Sequence, residues 1–215
     1  MRKKGSGAVT SAPIEVTPFS AIEASDHFTA RVVIGSPESA TLRVDDNLLD
    51  AVDVGVHEGT LRVGLRFGTA VTHATLEVDV IVPTLDRVTA SGASQVRVEG
   101  RDEAERVELT LSGSSELTAD LEVGRGHLEL SGTSTATLSG AAGTLEVTVS
   151  GASHLYADEL SVGDLTIDAS GASTADVTVS GRLSAGASGA STVRYAGTPT
   201  VERSTVSGAS SIRPI

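Results

Sequence analysis

The sequence predicts an all-β fold: a right-handed, single-stranded parallel β-helix (β-solenoid) of about 20 residues per coil, with an N-terminal β cap. Three observations predict it. The tetrapeptide Ser-Gly-x-Ser recurs at residues 91–94, 112–115, 131–134, 150–153, 170–173, 188–191 and 207–210, in steps of 21, 19, 19, 20, 18 and 19. Its flanks alternate strictly between apolar and polar residues. No Pro interrupts the chain between Pro83 and Pro199, as expected where nearly every backbone N–H is used in a ladder.

The strands follow from parity. Apolar residues fall one, three and five positions ahead of the motif, as in Val107, Leu109, Leu111 and in Leu145, Val147, Val149. They resume five, seven and nine positions after its first Ser, as in Leu117, Ala119, Leu121 and in Ala175, Val177, Val179. A period of two belongs to half-buried strands, and no 3.6-residue period fits this region. Stacking one coil on the last at the strand spacing of about 4.8 Å gives a parallel solenoid. Parallel crossovers are overwhelmingly right-handed, which sets the expected hand. A sandwich would need hairpin signals such as Asn-Gly, and the sequence has none.

Parity carried through the motif places its Gly and second Ser inward. The first Ser and the variable third residue then face out. The inward serines (Ser94, Ser115, Ser134, Ser153, Ser173, Ser191 and Ser210) are expected to stack coil on coil as a hydroxyl ladder, since a buried hydroxyl without a partner costs about 1–3 kcal/mol. The region divides as 88–215 for the Ser-Gly-x-Ser coils and 13–87 for N-terminal coils and cap, together a single domain over 13–215. Residues 13–87 alternate without the tetrapeptide, with turn signals at Gly35-Ser36-Pro37, Asp45-Asp46-Asn47, Glu58-Gly59 and Gly68-Thr69. Residues 50–56 fit a short helix or a further strand. Residues 1–12 are polar and read as disordered.

Composition removes several functions. With no Cys there is no disulfide framework, thiol chemistry or Cys-ligated metal. The net charge is −12, and 13 basic residues face 28 acidic ones once Arg2, Lys3 and Lys4 are set aside. That balance opposes nucleic acid and anionic lipid as partners. No apolar run approaches the ~18 residues of a membrane helix. The basic start Met1-Arg2-Lys3-Lys4 has no apolar stretch behind it, so it does not read as a signal peptide.

Three segments and their order resemble a known family: Phe19-Ser20-Ala21-Ile22-Glu23-Ala24, Val44-Asp45-Asp46-Asn47-Leu48-Leu49 and Val82-Pro83-Thr84-Leu85-Asp86, followed by repeated Ser-Gly-Ala-Ser. Over roughly residues 14–215 the chain is similar to the DUF2807 family, also called the auto-transporter adhesin head GIN domain, among the toastrack-type β-solenoids. The resemblance implies a bacterial, usually exported, envelope or surface protein. It implies adhesion or scaffolding, and it carries over no catalytic residues.

The residues themselves point to no enzyme. Nucleophile-elbow, Walker A, dinucleotide and zincin motifs are absent. Seven repeated serines cannot each be the one nucleophile of a triad, so they read as structural. His27, His57, His73, His127 and His154 share no repeat phase and read as surface residues rather than metal ligands. Acidic runs at Asp45, Asp46, Asp50, Asp53 and at Asp102, Glu103, Glu105, Glu108 lack the glycine pattern of a calcium roll. No catalytic, cofactor-binding or metal-binding residue is therefore assigned, and no cofactor is expected. A polysaccharide lyase or hydrolase is the enzymatic alternative, weakened by a chain with only five aromatic residues. A flat ice-binding Thr row (Thr89, Thr110, Thr148, Thr205) is broken by Glu129, Asp168 and Gly186. The expected partners are a glycan, an envelope polymer or a protein. A second copy is a further candidate, because a solenoid end is an unpaired strand edge.

Overall fold

The computed structural model describes residues 2–102 and 104–215. It shows a β-solenoid with coils of about 19 residues. The repeat region holds β10 (Arg87–Ala90), β11 (Gln95–Asp102), β12 (Arg106–Leu111), β13 (Glu116–Leu130), β14 (Thr135–Val149), β15 (His154–Ala169), β16 (Thr174–Val179), β17 (Arg182–Ala187), β18 (Thr192–Ala196), β19 (Thr200–Val206) and β20 (Ser211–Pro214), numbered after the nine strands that precede them. All their pairings are parallel. The strands leaving the motif pair in the order β11, β13, β14, β15, β16, β18, β20 and make a first face. Those running into the next motif pair as β10, β12, β13, β14, β15, β17, β19 and make a second face. The long strands β13 to β15 serve both faces by bending around a corner.

Alternation explains the core. Leu109, Leu128, Val147, Ile167 and Ala185 stack in one inward column of the second face, and all are buried. Each buried Leu or Ile contributes roughly 2 kcal/mol of apolar burial. Leu, Val and Ala suffice because each coil fills only a thin cross-section between sheets.

The motif corner departs from the expected parity at one residue. The second serines are buried from Ser94 to Ser191, and Ser210 in the last coil is half-buried. The motif glycines, however, are exposed rather than inward. Their φ values, between 71° and 77°, turn the chain in the left-handed region and reset the alternation. A Cβ on Gly113, Gly132, Gly151, Gly171, Gly189 or Gly208 would lie only 2.3–2.6 Å from the carbonyl oxygen of the motif glycine one coil earlier. That same carbonyl accepts the N–H of the variable residue, as in Thr133 N–H to Gly113 at 2.7 Å and Ala152 N–H to Gly132 at 2.8 Å. Glycine is therefore required twice, by conformation and by the closeness of the stack.

The hydroxyl ladder also needs revision. Each hydroxyl of Ser94, Ser115, Ser134, Ser173 and Ser191 donates to the carbonyl of the first Ser of its own motif at 2.7–2.9 Å. Coil-to-coil links are secondary, such as Ser134 N–H to Ser153 Oγ at 3.3 Å. The serine closes its own corner first because that carbonyl is three residues away and held at the turn.

The N-terminal region continues the stack and then caps it. Here β3 (Ala21–Ala24) and β4 (Thr29–Ile34) pair parallel with β10 and β11. Below them lie β7 (Thr60–Leu65) and β9 (Leu76–Val82), again parallel. The cap proper is antiparallel. β5 (Ser39–Asp45) pairs with β9, and β6 (Val52–His57) forms a hairpin with β7 across Glu58-Gly59. Between β5 and β6 the chain makes a short 3-10 helix, Asp46–Ala51, so residues 50–56 are part helix and part strand.

Residues 1–12 were expected to be disordered; Met1 lies outside the described residues, and over the rest the structure corrects the expectation. β1 (Arg2–Lys4) pairs parallel with β8 (Ala70–Thr72), and β2 (Val9–Ile14) pairs antiparallel with β5. The polar composition misled because these strands are covers, not core. β2 supplies the partner that the outer edge of β5 lacks. Asp45, 1% exposed, ties the parts together: its carboxylate accepts the N–H of Gly7 at 2.6 Å and of Thr75 at 2.7 Å.

Candidate functional site

Register turns single outward residues into rows along the solenoid axis. On the first face one row reads Thr135, His154, Thr174, Thr192, and its neighbour reads Thr137, Tyr156, Asp176, Arg194. Tyr156 is 42% exposed and its ring lies nearly parallel to that of His154, 6.4 Å away. Arg194 donates two hydrogen bonds to the Asp176 carboxylate, which holds the guanidinium pKa above its ordinary value.

The second face carries a cavity of about 440 Å³ beside the corner opposite the motif. Its outermost row reads Arg106, Arg125, Thr144, Asp164, Arg182, each six residues ahead of a motif serine. The next outward row contributes His127, Glu146 and Thr166. Gly126, also in the lining, takes the inward position of its column between Val107 and Leu145, and the Leu145 side chain fills the space a Cβ there would take.

The charges here are unevenly matched. Arg182 grips Asp164 through Nη2 at 2.6 Å and Nε at 3.1 Å, with its own backbone N–H adding 2.9 Å. Those hydrogen bonds hold the Asp164 carboxyl below its ordinary pKa and raise that of Arg182. Glu146 stands 3.7 Å from His127 Nδ1. Arg106 and Arg125, register partners in adjacent coils, have no ion-pair partner among the described residues.

The residues considered from sequence fall as follows. His127 and His154 lie on different faces, and His27, His57 and His73 are exposed on separate loops or strands. Among the described residues no three His, Asp or Glu cluster as metal ligands. Asp45 is structural, and Asp46 accepts the Ser6 hydroxyl at 2.6 Å. In the other acidic run Glu103 lies outside the described residues, and Glu108 pairs with Arg87 at 3.1 Å. The broken threonine row is confirmed in register, with Glu129, Asp168 and Gly186 inside it. Sequence reading missed two things. One is a second glycine stack at Gly124, Gly143, Gly163 and Gly181, where each Cβ would meet the carbonyl of the coil before at 2.4–3.0 Å. The other is the arginine pair. Both were recoverable by phasing every residue type to the motif.

Parallel coils, glycine-stacked corners and open outer rows define an all-β solenoid that presents its side chains on flat faces. The chain belongs to the DUF2807 family, described as "Putative auto-transporter adhesin, head GIN domain", whose model matches residues 18–199. Solved structures show the same fold. A "putative adhesin" from Bacteroides fragilis superposes with a TM-score of 0.90 at 17% identity, covering 99% of both chains. A "putative adhesin" from Parabacteroides distasonis gives 0.81 at 20% identity over 100% of each chain. From the same species, a "putative lipid binding protein" gives 0.81 at 14% identity over 100% of each chain. No curated protein matches the sequence. No helix among the described residues is long and apolar enough to cross a membrane.

Proposed function

We propose that the chain is a non-catalytic, adhesin-like module of the bacterial envelope or cell surface, holding its partner across a flat solenoid face. The carrying observation is the register-locked outer rows. Outward hydroxyl and charged groups stand one per coil at the coil rise, so an extended partner meets polar side chains at a fixed spacing along the axis. The family description and the fold neighbours support the same reading. A polysaccharide lyase or hydrolase has less support: the cavity's two carboxylates, Asp164 and Glu146, face Arg182 and His127, and no Phe, Tyr or Trp lines it.

Protease shaving of intact cells expressing the full-length gene, followed by fractionation, tests the location. The expected result is digestion of the domain from the cell surface or its recovery with the envelope. Recovery only from the cytosol, with no retention of purified protein on cells or envelope fractions, would overturn the proposal.

A second reading, end-to-end self-assembly, is favoured by one observation. All seven residues of β19 are exposed, including Val201 and Val206 at 44% and 48%. Sedimentation across a wide concentration range is expected to show a growing dimer fraction, and a constant monomer would remove this reading.

A further inference from the structure

We infer that Arg106 and Arg125 form a carboxylate-binding subsite for an acidic polysaccharide laid along the solenoid axis. This rests on the surface-binding reading above and names its ligand class. The two arginines occupy directly opposed positions on β12 and β13, one coil apart. Like charges so placed repel; Arg31 with Arg97 and Arg194 with Arg213 are opposed in the same way, but in each of those pairs at least one arginine has a carboxylate beside it. Eight other arginines are paired: Arg31, Arg43, Arg62, Arg87, Arg97, Arg182, Arg194 and Arg203 each face a carboxylate. Arg106 and Arg125 instead border the cavity of about 440 Å³, in whose lining Gly126 lies between their coils and that of Leu145.

The lining selects among anions. A guanidinium fork meets a carboxylate with two parallel hydrogen bonds. The hydroxyls of Thr144 and Thr166 lie alongside, suited to sugar hydroxyls. Nucleic-acid bases would need aromatic platforms, and no Phe, Tyr or Trp lines the cavity. Acyl chains would need exposed apolar side chains, whereas Leu145, the one apolar side chain in the lining, is buried. The row spacing is the strand spacing, close to the advance of one sugar along an extended polymer, so two neighbouring acidic sugars can meet Arg106 and Arg125, with the next sugar at Thr144. The net charge of −12 opposes approach of a polyanion. At physiological salt that field is screened beyond about 8 Å, while contact pairs in a groove are screened much less.

The test is binding of the whole chain to immobilised polygalacturonate, with dextran, dextran sulfate and phosphatidylglycerol vesicles as comparison probes. The wild type is expected to bind polygalacturonate and not dextran. The double variant Arg106→Gln/Arg125→Gln is expected to lose at least tenfold in affinity at an unchanged or raised melting temperature. Arg106→Lys/Arg125→Lys is expected to fall between them, because charge persists and the fork is lost. Arg203→Gln, on the same face, is expected to bind as wild type. Absence of polygalacturonate binding, equal binding by the Gln double variant, or binding only to dextran sulfate or to vesicles would each overturn the inference. Retention on cells is measured on the same samples. Cell binding without polygalacturonate binding overturns the subsite alone, whereas polygalacturonate binding without cell binding overturns the surface reading alone.

Discussion

Gly132 shows how one position can carry two separable costs. Its φ of 74° penalises any Cβ by about 1–2 kcal/mol. The Gly113 carbonyl, 2.4 Å from where that Cβ would sit, adds a clash with backbone that cannot move alone. Gly7 has a similar φ of 82° with open space around it. Gly132→Ala is therefore expected to lower the melting temperature clearly more than Gly7→Ala, and thermal denaturation of the two variants separates stacking from conformation. Ser134→Ala removes a buried hydroxyl that bonds Ser131 at 2.8 Å, and should cost ~1 kcal/mol in chemical denaturation. Asp164 gives a pH signature. Its folded pKa is depressed below 3.8, so its contribution is present above that value and lost as pH falls through the folded pKa. The pair is largely solvent-exposed and its effect on stability is small. Carboxyl NMR is expected to place the Asp164 midpoint below 3.8 in the wild type and closer to it in Arg182→Gln.

Among the elements, β2 depends on a contact its own residues do not reveal. Its six residues alternate between exposed and half-buried, so burial alone holds it weakly. The pairing with β5 and the anchorage of Gly7 on Asp45 hold it in place. Asp45→Asn replaces a two-oxygen acceptor with a group that presents a donor to one of two N–H groups. Hydrogen exchange is expected to quicken over residues 7–14 and at Thr75, and to stay unchanged over the coils from 131 to 173. Equal protection in the wild type and the variant would show that the sheet pairing alone secures the strand. The strands of the repeat region were legible because alternation and motif spacing coincide at every coil. β1 and β2 were not, because a covering strand is selected for its backbone hydrogen bonds rather than for apolar side chains.

At the scale of the whole molecule the solenoid is modular. Each coil touches its neighbours and little else, so stability is close to a sum of coil and interface contributions. Removing residues 131–149 deletes one full 19-residue repeat and joins Leu130 to Ser150 in phase. That variant is expected to keep a β-rich circular dichroism spectrum and to melt at a somewhat lower temperature. Removing only residues 131–139 breaks the phase of every later coil and is expected to prevent folding of the C-terminal half. If both deletions behave alike, the coils are not independent units.

The sequence by itself determined the coil. A two-residue alternation fixes which side chains face in, and a near-constant step between Ser-Gly-x-Ser motifs fixes how far the chain travels before it repeats. Both are local properties, and they were enough to identify the solenoid, its corners and its family resemblance. The direction of the motif glycine needed the backbone, because a left-handed turn resets parity and leaves no mark in composition. Only the tertiary structure decided what stands beside what along the axis. Arg106 and Arg125 are 19 residues apart in the chain yet adjacent in the stack. The opposed charges, without an ion-pair partner among the described residues, and the cavity they border exist because parallel register brings the same phase of neighbouring coils into contact.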